Sequence, residues 1–181
     1  MEKSSEISQC KLVPVKFVVA ITFSPVADVD ASMMGLRAFL GESDIATDVF
    51  DFDHTRYYHK EMGPGLQKQF ISFTQLHDRD QLVLLKLKCM EIEHSGMCQR
   101  SRSVNLDPAY MEMPKLVVAS HKNFAHRIHI AEGIFGDVQL VYRGGRFVSN
   151  EWTYADYKRP DVLDFFRQVR ASYATALEAM A

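Results

Sequence analysis

Apolar residues recur along this chain with two spacings: alternating over short runs, and three to four apart over longer ones. Val15–Phe23 is dense in β-branched and aromatic side chains and reads as a central strand ended by Ser24-Pro25. Asp28 or Asp30 then caps a helix running to Leu40, with Met33, Met34, Leu36, Phe39 and Leu40 on its apolar side and Gly41 after its end. Residues 47–53 alternate as a half-buried strand, Gly63-Pro64-Gly65 marks a turn, and residues 66–76 form another strand. Asp78, with Gln81 three residues on, caps a second helix whose Leu82, Leu85, Cys89 and Ile92 make one stripe and which Gly96 closes.

Four further strands follow, at residues 103–110, 115–120, 126–130 and 137–143. The last pairs across Gly144-Gly145 with Arg146-Phe147-Val148. Pro160-Asp161 opens a final helix with an apolar face from Val162 to Leu177. The expected class is α+β: a ferredoxin-like βαββαβ start, extended by further antiparallel strands and a C-terminal helix, with the helices on one face of the sheet. Residues 1–13 are expected to be a flexible N-terminal arm and residues 14–181 a single domain.

Composition narrows the partners. The chain has 181 residues, 47% apolar and 24% charged, with a net charge of −2, which gives no global attraction to nucleic acid or an anionic membrane. The apolar run from Val13 to Phe23 is shorter than the ~20 residues of a membrane helix, and the polar start lacks a signal-peptide core. A cytoplasmic protein without a membrane partner is expected. Three cysteines, Cys10, Cys89 and Cys98, do not make a disulfide framework. His121, His126 and His129, or Cys89, His94 and Cys98, lack metal-ligand spacing, so no metal site is expected. The signatures of a P-loop, a Rossmann turn, a C-x-x-C pair and a nucleophile elbow are absent, and the sequence specifies no cofactor.

Polar chemistry concentrates between Arg100 and Asp137. Period two sets Asn105 and Asp107 on one face of their strand and Val104 and Leu106 on the other. Pro108 is expected to stop that strand and leave Asp107 and Tyr110 at a rim. There Asp107 either takes a proton or a cation, or closes an Asx-turn. In His126-Arg127-Ile128-His129-Ile130, Arg127 and His129 face one way and His126, Ile128 and Ile130 the other. An Arg beside a His suits phosphate or carboxylate, and equally a solvated sheet face. Tyr58 and Glu61 are placed to line a pocket beside the Gly63-Pro64-Gly65 turn, or to edge an aromatic core. Thr153 and Asp156 have the spacing of a helix cap. Arg127 and Asp107 are expected in one polar cluster, with Val104, Leu106, Ile128 and Ile130 buried behind it.

These blocks resemble the bacterial domain of unknown function 4416 family. Thr55 to Gly63 is similar to its Thr-x-Tyr-Tyr-x-x-Glu-Met-Gly block, Asn105 to Tyr110 to Asn-hydrophobic-Asp-Pro-Gly-Tyr, and His126 to His129 to His-Arg-Ile-Tyr followed by Gly-Ile. Trp152 to Tyr157 is similar to Trp-Thr-Tyr-x-Asp-Tyr. Ala109 stands where the pattern has Gly, and His129 where it has Tyr. The resemblance implies no activity. From the residues, the leading expectation is a small-ligand site for an anionic metabolite or nucleotide on the polar face of the sheet, catalysis left open. Arg102 and Arg127 would neutralise the anion, while Glu61, Asp107 and His126 would take acid/base or cation roles. Tyr58, Asn105, Tyr110 and Asp156 complete the candidate set. The alternative is a non-enzymatic protein-interaction module docking through Trp152, Tyr154 and Tyr157. A pocket joining the Tyr58, Asp107, Arg127 and Asp156 regions would favour the first.

Overall fold

A computed structural model describes residues 13–54, 57–95 and 101–180. Strand β1 (Val15–Phe23) leads to helix α1 (Val29–Leu40), capped by Asp28, whose carboxylate accepts the Ala31 N–H at 2.9 Å. Two short strands, β2 (Ser43–Ala46) and β3 (Phe50–Asp51), and the one-turn helix α2 (His59–Met62) precede β4 (Gln67–His77) and helix α3 (Gln81–Ser95). Strands β5 (Val104–Met111), β6 (Lys115–Ser120), β7 (Ile128–Ala131), β8 (Ile134–Arg143) and β9 (Arg146–Ser149) follow. A 3₁₀ turn (Ala155–Lys158) then delivers the chain to helix α4 (Pro160–Glu178). The N-terminal arm, except Val13, lies outside the described residues, as do Gly96, Cys10 and Cys98.

The strands form one antiparallel sheet in the order β2-β4-β1-β5-β6-β8-β7, with β3 beside β4 and β9 beside β8. β1 takes the interior position because both its faces are apolar. Val15, Phe17, Val19 and Ile21 meet α1 and α3, while Val18 and Ala20 meet α4 on the other side. The helices therefore do not share one face, as expected, but cover both. A strand with core side chains at odd and even positions alike requires such cover, since either face left bare would expose them. Among the described residues, no helix is long and apolar enough to cross a membrane.

Local expectations change at four places. The strand expected over residues 47–53 is two short pieces flanking Thr47, whose hydroxyl accepts the Phe70 N–H at 3.1 Å and replaces a ladder bond. Pro108 does not end β5. It pairs with Val19 of β1, while the ladder to β6 begins only at Ala109, so the missing N–H interrupts no β5–β6 bond. This also removes the Asx-turn reading of Asp107, which sits within the strand. Ile128 and Ile130, expected to be buried, are 77% and 46% exposed, because β7 ends the strand order beyond the cover of α1 and α3.

Candidate functional site

Residues directly opposite in an antiparallel ladder share a face, so the register of β1 sets out rows of side chains. Ala20 lies between Phe70 and Asp107, and Thr22 lies between Lys68 and Asn105. The Phe70 end of the first row packs under α4, with the Phe166 ring 5.5 Å away. The Lys68 end of the next row meets the 3₁₀ turn instead, where Lys68 Nζ is 2.6 Å from Asp156 Oδ2. The rings of Phe52, Phe70 and Tyr157 surround the same ammonium at 4.8–5.6 Å. Beside the start of α4 these rows open into a cavity of about 390 Å³. Its walls are partly aromatic, from Phe52, Tyr57, Tyr58, Phe124 and Tyr154, and its polar lining includes Asn105, Asp107 and Ser120.

One side of the cavity exists because β5 and β6 separate. Their ladder covers Ala109–Val118, Tyr110–Val117 and Met111–Leu116, and Leu106 lies outside it. Side chains of α3 satisfy the backbone there. Glu93 Oε1 accepts the Leu106 N–H at 2.6 Å, and Lys86 Nζ donates to the Leu106 carbonyl at 2.7 Å. Lys86 reaches on to Asp107 Oδ1 at 3.4 Å, and the Asn105 amide donates to Asp107 Oδ2 at 2.8 Å. The other oxygen of Glu93 accepts from Arg102 at 2.7 Å, and Arg102 Nε is 2.9 Å from Glu61.

Arg127 joins the opposite wall. Its Nε donates to Asp137 at 2.8 Å, Nη1 donates to Ser120 Oγ at 2.8 Å and to the Lys122 carbonyl at 2.9 Å, and Nη2 donates to the Tyr154 hydroxyl at 2.5 Å. Four of the five guanidinium donors are thus engaged within the protein. Asp137 is fully buried, so this arginine neutralises a carboxylate of the fold.

Burial acts to raise the Asp107 carboxyl, but the ammonium groups of Lys86 and Lys68 and the Asn105 amide outweigh it and hold the pKa below the ordinary 3.8. Asp107 is therefore a carboxylate at neutral pH. Burial, and then the charge of Asp107, push the Tyr58 and Tyr154 phenols far above their usual range, so both stay protonated. Burial also raises Glu93, against the pull of Lys86, the Leu106 N–H and Arg102. His121 is lowered from 6.5, first by burial and then by Lys86, Lys122 and Arg102 around it. The last three mark a region of positive potential.

Of the expected site residues, Tyr58, Arg102, Asn105, Asp107, Arg127 and Asp156 line the cavity together. Arg127 and Asp107 thus share it, but each has a different ionic partner. Asp156 is not held in a cap with Thr153, whose hydroxyl donates to the Gln139 carbonyl at 2.5 Å. Glu61 lies behind Arg102 and lines a neighbouring cavity. Tyr110 points to the α1 and α3 face, opposite Asp107, and packs against that core. His126 stands outside the lining, between the Phe124 and Trp152 rings, with Nε2 3.4 Å from Asp137.

Sequence reasoning missed Lys68, Lys86 and Glu93. Each breaks an apolar pattern: Lys68 alternates with Leu66 and Phe70, and Lys86 and Glu93 follow Leu82 and Cys89 by four. A charge on a core-facing position is the signal that could have found them. Of the aromatics offered as an exposed docking set, Tyr157 is buried, Tyr154 is half-buried in the cavity wall, and Trp152 is 40% exposed.

No curated protein and no solved structure matches the chain. The family described as Domain of unknown function (DUF4416) matches residues 13–173. The Tyr58, Asn105–Asp107, Arg127 and Asp156 segments all fall within that span, and the chain belongs to this family.

Proposed function

We propose that the cavity beside the 3₁₀ turn binds a small anionic metabolite or nucleotide. The observation that carries this reading is convergence. Five cationic side chains, Lys68, Lys86, Arg102, Lys122 and Arg127, reach one aromatic-walled volume of about 390 Å³, within the range of small-molecule sites. Four of them have carboxylate partners in the fold. Lys122 has none among the described residues, so Lys122, flanked by Arg102, supplies the positive charge left for a ligand. Arg127 shapes the wall rather than holding the anion. Asp107, held ionised, is the acceptor of the site and takes hydrogen bonds from N–H or O–H groups of a bound molecule. The strand order β5-β1-β4-β2 supports reading the scaffold as a ferredoxin-like split βαβ arrangement with a β-rich extension.

A thermal-shift screen of nucleotides, phosphorylated sugars and carboxylic acids tests the reading. At a hundredfold excess over Kd, a true ligand stabilises by about 2.7 kcal/mol. Lys122→Ala should lower that shift. A panel in which no anion raises Tm overturns the proposal. A second reading, a protein-interaction module, is favoured by Ile128, Ile130 and Phe124, which are 77%, 46% and 54% exposed near the β7 edge.

A further inference from the structure

The cavity does not end at its cationic wall. Tyr57, Arg102, His121 and Lys122 also line a second cavity of about 280 Å³, whose other lining includes Glu61, Glu93 and His94. The two cavities and the wall between them differ in chemistry. Asp107 and Asn105 belong to the first alone, together with the rings of Phe52, Phe124 and Tyr154. The shared wall holds three basic side chains. In the second cavity, Glu61 and Glu93 are carboxylates that face Arg102 at 2.9 and 2.7 Å.

This order fixes how a ligand can lie. An ionised carboxylate only accepts hydrogen bonds, and it repels an anion. Asp107 already accepts from Asn105 and lies near Lys86, yet its side chain keeps 24% of its surface exposed. The ligand end beside it must carry N–H or O–H donors and no negative charge. The surrounding rings favour a flat group at that end. Negative charge is accommodated at the shared wall, where Lys122 has no carboxylate partner among the described residues, rather than beside the Arg102-paired side chains of Glu61 and Glu93.

Resting on the binding role assigned above, we propose that the ligand is a nucleoside phosphate bound in one direction. Its amino-substituted base lies in the first cavity with the exocyclic amine on Asp107, and its phosphate lies at the wall of Arg102, His121 and Lys122. Guanosine and inosine monophosphates differ only by such an amine, so they isolate the contact. Inosine keeps its ring N1–H and loses only the exocyclic donor, so a loss of affinity against guanosine reports the amine on Asp107.

Calorimetric titration of the full chain with adenosine, guanosine, cytidine, inosine and uridine monophosphates, free nucleosides and ribose 5-phosphate decides the matter. At least one amino-bearing nucleotide should bind tenfold or more tighter than both inosine and uridine monophosphates, and tenfold or more tighter than its own nucleoside. Asp107→Asn should abolish the base preference and keep the phosphate dependence. Lys122→Ala, at a partly exposed position, should do the reverse. Ribose 5-phosphate binding as tightly as any nucleotide, or equal affinities for guanosine and inosine monophosphates with no preference for adenosine or cytidine, overturns the proposal. If Asp107→Asn does not fold, the wild-type ligand series and Lys122→Ala still decide. Binding of other anions without nucleotides leaves the anion site standing and removes this inference, whereas no anion binding removes both.

Discussion

Arg127 connects the end of β6, the loop after it, β8 and the segment before the 3₁₀ turn through one guanidinium. Replacing it by Ala leaves buried Asp137 with only the His126 ring, 3.4 Å away, as a cationic neighbour, which costs up to about 3–5 kcal/mol. The expected result is a lower urea midpoint, with Arg127→Met/Asp137→Leu recovering much of the loss because no orphan charge remains. Acid titration probes a different set of residues. Asp44, beside Lys16, and Asp107 both have pKa values below 3.8, outweighing the opposing effect of burial. Their contribution to stability is present above that value and is lost as pH falls through the lowered pKa values. Melting curves from pH 6 to pH 2 should therefore show a steep acid limb, shallower in Asp107→Asn. The alternation in β5 set Asp107 on the face opposite Leu106, but Arg127 lies before β7 and reaches the cavity through its turn rather than through strand alternation. Their partners were not legible in the sequence, because Lys86 and Asp137 arrive from other elements through tertiary register.

Helix α3 does more than cover the sheet. Lys86 and Glu93 satisfy the carbonyl and N–H of Leu106 where β6 does not pair, so a helix serves as a partial neighbour strand. Glu93→Leu should leave that N–H unpaired at a cost of about 1–3 kcal/mol. Hydrogen exchange checks it: protection at Leu106 should fall more than at Phe17 or Phe70. The helix itself could be read from Leu82, Leu85 and Cys89, and β1, β6 and α4 likewise from dense local patterns. β2 could not, and of the strand expected over residues 47–53 only Phe50–Asp51 forms, since this edge segment takes its conformation from β4 rather than from its own side chains. Ile128 and Ile130 misled for the opposite reason. Their alternation specifies a strand, but only the distant course of α1 and α3 decides whether that face is covered.

For the molecule as a whole, the cover on both faces makes β1 indispensable. Phe17 is fully buried among α1 and α3 side chains, and Phe17→Asp should abolish cooperative unfolding by placing an unpaired charge there. A soluble variant with an unchanged melting curve would contradict the role given to β1. The same placement governs how the chain comes together in time. β1 is made first, yet its two neighbours supply partners as distant as His77 for Val15 and Met111 for Lys16, and the Tyr173 hydroxyl finally donates to the Pro14 carbonyl at 2.7 Å. Such pairings close long loops before they return any contact, which gives a high contact order and slow folding. On a ribosome the most apolar segment therefore waits unpaired until β4 is synthesised and half-paired until β5 follows, and the growing chain is most prone to aggregate in that interval.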